Sequence, residues 1–350
     1  MTAVVDAPAV QSPTRRRPAR SRRLIGLAVL LLLVAVAALA SIAVGTRSIG
    51  LGEVWRALFD DGPSSEEAVI VRQLRVPRTA LGLLVGLALG VAGALMQGHT
   101  RNPLGDPGLL GVTAGASLAV VVAIAWFGIA TPSGYVWFAF AGALAGTVLV
   151  YAIGSAGRGG PTPVTLALAG AALSALLYAL VRAVLVSDQQ TLDSFRFWVV
   201  GALAGRGADV AWQVAPFIAV GLLLAVANAP ALDLLGLGED VARGLGQRVW
   251  PARVVGLTAI TLLCGAATAA CGPIAFVGLV VPHAVRAFTG PDHRWLIPCS
   301  ALLGAALLLT ADVIGRIVAR PGELQVGIVL ALIGAPFFIA LVRRRRTAGL

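Results

Sequence analysis

Long uncharged stretches limit the fold of this chain more than any other feature of its sequence. They occupy residues 24–46, 79–100, 107–157, 159–181, 211–232, 254–285, 295–311 and 324–342. A helix that crosses a bilayer needs roughly 20 apolar residues. The stretches 107–157 and 254–285 are long enough for two crossings each, and turn residues near 132–134 and 271–273 divide them. The length rule therefore predicts an all-α integral membrane protein with about ten transmembrane helices.

The composition indicates that lipid, rather than water, surrounds most of the chain. Of the 350 residues, 58% are hydrophobic and 12% are charged. A soluble domain carries roughly 25% charged residues, so this chain has too little charge to cover a water-exposed surface. The net charge of +11 comes from arginines at the edges of the apolar stretches, not on one polar face. A nucleic-acid partner is therefore not expected, and the lipid bilayer is.

The arginines also predict the orientation of the chain in the membrane. Six of them lie between Arg15 and Arg23, and four more form the run Arg343–Arg346. Basic residues concentrate on the cytoplasmic side of membrane proteins, and an even number of helices places both termini on one side. We therefore expect a basic cytoplasmic tail at 1–23, a transmembrane domain at 24–350 and both termini in the cytoplasm. The stretch 24–46 is too long for a cleaved signal peptide.

Several kinds of chemistry are not expected of this chain. A phosphate-binding P-loop needs a lysine, and the sequence contains none. If ATP drives this protein, another polypeptide binds it, so the chain is not predicted to be an enzyme. The three histidines lack H-E-x-x-H spacing and the three cysteines lack C-x-x-C spacing, so no metal or cofactor is expected.

An ion-coupled carrier is the alternative class that the residues leave open. Such carriers usually keep ionisable groups near the middle of the membrane, whereas Asp233 and Asp312 lie at the ends of apolar stretches. Backbone carbonyls can also bind the coupling ion. The sequence therefore weakens this alternative without removing it.

Two connecting segments have more defined patterns. The segment Gln97–Gly111 contains two prolines and several glycines, which predict a tight turn at the membrane surface. In Leu235–Gly246, Glu239 and Asp240 favour the start of a short helix through its dipole, and Gly246 is placed to end it. This helix would lie on the cytoplasmic face, either as an ordinary connection or as a docking knob for a soluble partner.

Taken in order along the chain, several segments resemble the FecCD family of ABC importer permeases, which serve ferric siderophores, haem and cobalamin. The resemblance lies in Arg75–Arg78, Gln97–Gly111, Phe197–Gly201, Leu235–Gly246, Gly272–His283, Ala311–Asp312, Glu323–Gly327 and Gly334–Phe338. Together these segments cover roughly Arg72 to Arg343. Gln325 departs from the family pattern, which usually has proline there.

The resemblance implies a type II ABC importer permease fold in the cytoplasmic (inner) membrane. Its implied partners are a second permease copy, identical or paralogous, two ATP-binding subunits and an extracytoplasmic substrate-binding protein. A ferric siderophore is the expected cargo, with haem and cobalamin open. The helix near Leu166–Leu185 would line the pathway, and Phe195–Trp198 would belong to a short outer helix near the gate.

The resemblance also assigns roles to two sets of residues. The short helix would fit a cleft on the ATPase subunit, through Glu239, Asp240, Val241, Ala242, Arg243, Gly244 and Leu245. On the opposite face, Arg75, Arg78 and Arg316 would pair with acidic residues of the binding protein, with Arg320 near enough to assist Arg316. Arginine suits this role because its planar fork binds a carboxylate through two hydrogen bonds.

Overall fold

The computed structural model describes residues 20–45, 49–59, 65–156 and 162–347. Within these residues the regular structure is helical throughout. The α-helices are α1 Arg20–Ala43, α2 Leu51–Phe59, α3 Glu66–Val69, α4 Val76–Thr100, α5 Val112–Phe127, α6 Pro132–Ser155, α7 Pro163–Ser187, α8 Gln189–Val199, α9 Ala208–Leu235, α10 Glu239–Gly244, α11 Val249–Cys271, α12 Val277–Thr289, α13 His293–Val318 and α14 Val326–Thr347.

Ten of these helices are apolar and of membrane character, which confirms the prediction of about ten. Seven are long enough to cross a bilayer: α1, the continuous helix Glu66–Thr100, α6, α7, α9, α11 and α13. Three are shorter: α5, α12 and the apolar part of α14 at Val326–Ala340. The second long stretch divides after Cys271, as predicted, whereas the first divides at 128–131, just before the predicted turn residues 132–134, which begin α6.

One helix begins well before its apolar stretch. The sequence places the second transmembrane helix at 79–100, but α3, a π-helical segment at Ile70–Arg75 and α4 form one continuous helix from Glu66 to Thr100. The wider π turn comes directly before Pro77, whose ring would collide with the carbonyl four residues earlier in an α-helix. Arg75 and Arg78 therefore lie within this helix and not in a loop before it.

The helix α4 lies at the centre of the bundle, where small residues let its neighbours approach. A Cβ atom on Gly86 would come within 2.5 Å of the Cα of Ala305 on α13, and one on Gly90 within 2.2 Å of the carbonyl oxygen of Ser300. On Gly93 it would come within 2.0 Å of the carbonyl oxygen of Gly278. Glycines three or four residues apart on one face let membrane helices pack closely in this way.

The segment Gln97–Gly111 is only partly the surface turn that the sequence predicts. The chain turns at Arg101, which has a positive φ of 50°. It then re-enters the bundle as a 3₁₀ helix, Pro107–Leu110, with Pro107 and Leu110 buried. A Cβ on Gly111 would come within 3.3 Å of the carbonyl oxygen of Gly146, which lies nine residues before the end of α6 and thus ~14 Å into the helix.

The bundle has two ends that carry different charged groups. Arg23 at the start of α1 forms an ion pair of 2.9 Å with Asp292, just before α13, and α10 follows α9 at this same end, which we call the α10 end. Arg20, Arg22 and Arg23 of the predicted tail are helical, and residues 1–19 lie outside the described residues. The opposite end, where α1 and α13 finish, is called the cluster end.

Candidate functional site

At the cluster end, arginines satisfy the last carbonyl groups of α1. The final turn of any helix leaves carbonyl oxygens without partners inside the helix. Here Arg75 donates to the carbonyl oxygens of Ile42 and Ala43, both at 2.7 Å. Arg316 donates to those of Ser41 and Val44 at 2.9 and 3.0 Å. Cations are also favourable at this negative end of the helix dipole, so these two arginines fix the end of α1.

Asp312 and Glu323 hold a third arginine beside them. Arg78 donates two hydrogen bonds to Asp312, at 3.0 and 2.8 Å, and one to Glu323 at 2.8 Å. Asp312 also forms an ion pair of 3.0 Å with Arg316, and only 1% of its side chain is exposed. One buried carboxylate of α13 therefore binds an arginine of α4 and an arginine of its own helix. The three arginines that the resemblance assigns to docking lie together in the structure.

These arginines line a cavity that opens at the cluster end. It has a volume of about 570 Å³ and is also lined by Arg206, which follows α8. Arg206 is 8% exposed and donates to the hydroxyl of Tyr135, but its Nε has no hydrogen-bond partner in the described part of the chain. The Nε of Arg316 is likewise without one. A cavity lined by four arginines and one glutamate favours the binding of an anion such as a carboxylate.

We use the name arginine cluster for Arg75, Arg78, Arg206, Arg316 and Arg320. Arg320 donates to the carbonyl oxygen of Gly45 at 2.6 Å. With Asp312 and Glu323 as its carboxylates, the cluster carries a net charge of +3. Arg206 was not among the predicted site residues. Its position between Gly205 and Gly207, on the predicted outer side, is nevertheless unusual, because basic residues are usually placed on the inner side.

At the α10 end, the predicted short helix is present with nearly the predicted bounds. It runs from Glu239 to Gly244, between Gly238 and Gly246, whose φ angles of 111° and 82° are accessible to glycine. Ala242 is fully buried against Leu235 of α9 and Val249 of α11. The helix is therefore fixed to its two neighbours.

A salt bridge also fixes α10 to α11. Glu239 accepts a hydrogen bond from Arg253 of α11, and it pairs with Arg243 at 3.2 Å. Arg243 pairs with Asp240 as well, at 3.0 Å. Sequence analysis did not anticipate Arg253, because its partner lies fourteen residues away across a turn.

The other face of α10 is open to solvent and mixes charged and apolar groups. The side chain of Asp240 is 99% exposed and that of Arg243 is 58% exposed. Val241 and Leu245 are 50% and 61% exposed. Exposed apolar side chains surrounded by charges are typical of a surface that contacts another protein.

The short helix predicted around Phe195–Trp198 is also present. It is α8, which is capped at its start by Asp188. The side chain of Asp188 accepts hydrogen bonds from the backbone N–H groups of Gln190 and Thr191. The hydroxyl of Thr191 also donates to Asp188, and these hydrogen bonds lower the pKa of this carboxyl. Phe195 and Trp198 are buried, whereas Phe197 is exposed. The predicted helix 166–185 corresponds to α7.

The fold and the comparisons define the class of this protein. A solved structure described as an inward-facing conformation of a metal-chelate type ABC transporter superimposes with a TM-score of 0.79 and 28% identity, covering 92% of this chain and 99% of that one. The two-component PsaBC structure from Streptococcus pneumoniae, at 17% identity and a TM-score of 0.55, shares the fold alone. The chain is thus a multi-pass permease of the ABC importer class.

The family follows from the sequence comparison. Residues 31–344 match the FecCD transport family, and the chain belongs to this family. It is 46% identical over 327 residues to the ferric enterobactin transport system permease protein FepD of Escherichia coli (strain K12), covering 93% of this chain and 97% of the relative. It is 43% identical over 320 residues to the iron(3+)-hydroxamate import system permease protein FhuB of Bacillus subtilis (strain 168), covering 90% and 82%.

A third relative carries a different cargo in its name. The hemin transport system permease protein HmuU of Yersinia pestis is 38% identical over 322 residues, covering 91% of this chain and 95% of the relative. The recognition of the FecCD family from the sequence is confirmed, as is the fold class. The assignments of Glu239–Leu245 and of Arg75, Arg78 and Arg316 stay predictions.

Proposed function

We propose that this chain forms the transmembrane pathway of an importer that carries a ferric siderophore, or a related iron chelate, across the cytoplasmic membrane. ATP is hydrolysed by two separate subunits, and a second permease copy completes the pathway, with α7 along it. The termini and the basic tail at 1–23 lie in the cytoplasm. The observation that carries this proposal is α10, a helix fixed to the bundle on one face and open on the other.

The geometry of α10 supports its role in coupling. Ala242 is buried between α9 and α11, and the ion pair of Glu239 with Arg253 joins α10 to the spanning helix α11. A partner that moves α10 therefore moves α9 and α11 with it, as a rigid body. The exposed side chains of Asp240, Val241, Arg243 and Leu245 would enter the cleft of the ATPase.

The cavity at the cluster end supports docking of a binding protein. Arg75 and Arg316 are buried and hold the end of α1, so they shape the cavity and supply its positive potential. Arg78 and Arg206 line the same cavity. An acidic side chain of the binding protein would enter this cavity, where the arginines outnumber the single lining carboxylate, Glu323.

The cargo is proposed from the relatives. The permeases FepD and FhuB are named for ferric enterobactin and for iron(3+)-hydroxamate, and they share more of their sequence with this chain than the hemin permease HmuU does. A ferric siderophore is therefore the first candidate. Haem is the second, because of HmuU, and cobalamin is the third.

One experiment tests both the ATP-driven import and the identity of the cargo. The tagged chain is isolated in detergent from its native membrane, its partners are identified, and the complex is placed in vesicles with radioactive ferric siderophore. We expect a Walker-motif ATPase to co-purify, and uptake to require ATP. An excess of haem or cobalamin that abolishes iron uptake would reassign the cargo. A chain that purifies alone and transports under an ion gradient without ATP would overturn the proposal in favour of an ion-coupled carrier.

A further inference from the structure

A groove lies on the surface of the bundle between α6 and α11, and the proposed transport mechanism does not use it. It has a volume of about 270 Å³. From α6 it is lined by Leu144, Thr147, Val148 and Tyr151, which stand at positions i, i+3, i+4 and i+7 of the helix. These positions lie on one face of the helix. The groove therefore runs along one face of α6.

The facing wall comes from one side of α11. Val254, Thr258, Thr261 and Leu262 line the groove, and Trp250 precedes Val254 by four residues on the same face. From Val254 to Leu262, the ends of this lining, the helix rises about 12 Å at 1.5 Å per residue. The hydrocarbon of one leaflet is about 15 Å thick, half of the bilayer core. The groove thus covers most of the depth of one leaflet.

The lining is apolar although it contains threonines. The hydroxyl of Thr147 donates to the carbonyl oxygen of Ala143 at 3.0 Å, and that of Thr261 to the carbonyl oxygen of Leu257 at 2.8 Å. These hydroxyls are used within their own helices, so the methyl groups remain available to line the groove. Leu144, Val148 and Val254 are 47%, 57% and 41% exposed. Both helices are long and apolar enough to span a membrane, so an acyl chain is the occupant that this lining suits.

The end of the groove nearest α10 has the polar groups that a lipid headgroup needs. The rings of Tyr151 and Trp250 lie 5.9 Å apart there, and tyrosine and tryptophan concentrate at membrane–water interfaces. The hydroxyl of Tyr151 is buried without a hydrogen-bond partner in the described residues. Arg248, which comes directly before α11, is exposed, and its side chain forms no ion pair within the described ranges.

A negative charge is favourable at this position for two reasons. Arg248 is a cation without a carboxylate partner in the described part of the chain, and the first turn of α11 has no side-chain cap. The N–H groups at a helix N-terminus bind phosphate, and basic pockets between transmembrane helices bind anionic headgroups. We propose that the α6–α11 groove binds one acyl chain of an anionic phospholipid, whose phosphate lies at Arg248 and the first turn of α11.

The test measures which lipid remains bound to the purified full-length chain. The chain is equilibrated in mild detergent with phosphatidylglycerol or phosphatidylcholine, and native mass spectrometry counts the lipids retained. Two variants probe the two halves of the site: Arg248→Gln removes the charge, and Thr258→Phe fills the groove. The matched controls are Arg196→Gln, another exposed arginine, and Val226→Phe, at an exposed position of α9.

We expect one phosphatidylglycerol per chain, preferred over phosphatidylcholine by roughly fivefold, as one basic residue near a membrane surface contributes. Arg248→Gln removes the preference, Thr258→Phe removes the retained lipid, and both controls behave as the original chain does. If the Thr258→Phe variant does not fold, the Arg248→Gln variant still tests whether Arg248 binds the anionic headgroup.

Two results would overturn the site. One is equal retention of both lipids by the original chain and by Arg248→Gln. The other is efficient cross-linking of a Thr258→Cys chain to the same position of a second copy, which would assign the groove to an interface between permeases. These readouts need neither ATP nor cargo, so they do not depend on the proposed transport function.

Discussion

At the cluster end the charged residues are buried and bound within the chain, whereas at the α10 end they lie largely in solvent. Asp312 and Arg316 have 1% and 2% of their side chains exposed, and both connect different parts of the bundle. Asp240 and Arg243 have 99% and 58% exposed and pair within a single turn of helix. The comparison indicates that the first set determines the shape of a cavity and that the second set is free to contact a partner.

The largest effect is expected from removing the carboxylate that joins the cluster. The variant Asp312→Ala leaves Arg78 and Arg316 without their buried partner, and breaking a buried ion pair in this way costs about 3–5 kcal/mol. Thermal unfolding in detergent, followed by size exclusion, measures the loss. The matched control at the other end is Asp240→Ala. Because Asp240 is exposed, the variant's free energy of unfolding should change by no more than about 0.5 kcal/mol. Equal stabilities of the two variants would remove the distinction between the ends.

A smaller effect, on coupling and not on stability, is expected at α10. The variant Arg243→Glu places a third acidic residue beside Glu239 and Asp240 and changes the face offered to the ATPase. Coupling free energies are typically about 1–3 kcal/mol, so transport-stimulated ATP hydrolysis in vesicles should fall by roughly tenfold with an unchanged unfolding temperature. Arg196→Glu on α8 is the control, because Arg196 is also exposed and also pairs with an acid three residues away. If complexes with either variant show the same transport-stimulated ATP hydrolysis as the original complex, α10 does not couple the ATPase to transport.

The smallest effect is a gain at the cluster end. Glu323 is 27% exposed and pairs with Arg78 at 2.8 Å, so Glu323→Gln makes the cavity more positive. Binding of the co-purifying substrate-binding protein should tighten by about threefold at low ionic strength, and the gain should disappear in high salt because exposed charges are screened. Surface plasmon resonance on the immobilised permease measures this affinity.

A matched variant at the α10 end sharpens the same comparison. Glu239 is 25% exposed and pairs with Arg253, so Glu239→Gln makes a similar change of charge in a similar setting. It should leave binding-protein affinity unchanged and reduce ATPase stimulation. A lower affinity for the binding protein in the Glu323→Gln variant, or a higher affinity in the Glu239→Gln variant, would contradict the assignment of docking to the cluster end.

Local patterns predicted the helices well, because each depends on residues close in the sequence. The length of the apolar stretches predicts ten helices, and the acidic pair with Gly246 predicts α10. The start of the helix at Glu66 was not predicted, since the segment before Pro77 contains Arg72 and Arg75, whose carbonyl partners lie on α2 and α1 and are distant in the sequence. The re-entry of Pro107–Leu110 depends on space left by Gly146 and Gly170 on other helices.

The residues of the candidate sites were also predicted only in part. The sequence indicated Arg75, Arg78 and Arg316 only through their resemblance to a family, and it gave no sign that Asp312 joins two of them across 234 residues. Arg253 lacked any local pattern, and Arg206 was marked only by its place on the predicted outer side. Their partners, Tyr135 and Glu239, come from other helices and become neighbours only when the bundle is packed.

The sequence by itself therefore determined that this protein lies in a membrane, how many helices cross it and where a short helix interrupts them. These properties follow from the period and length of apolar stretches, which act over one helix at a time. Only the tertiary structure decided which charges are buried, which face a cavity and which remain open to a partner. Burial and ion pairing are properties of several helices together, so they exist only after those helices have packed.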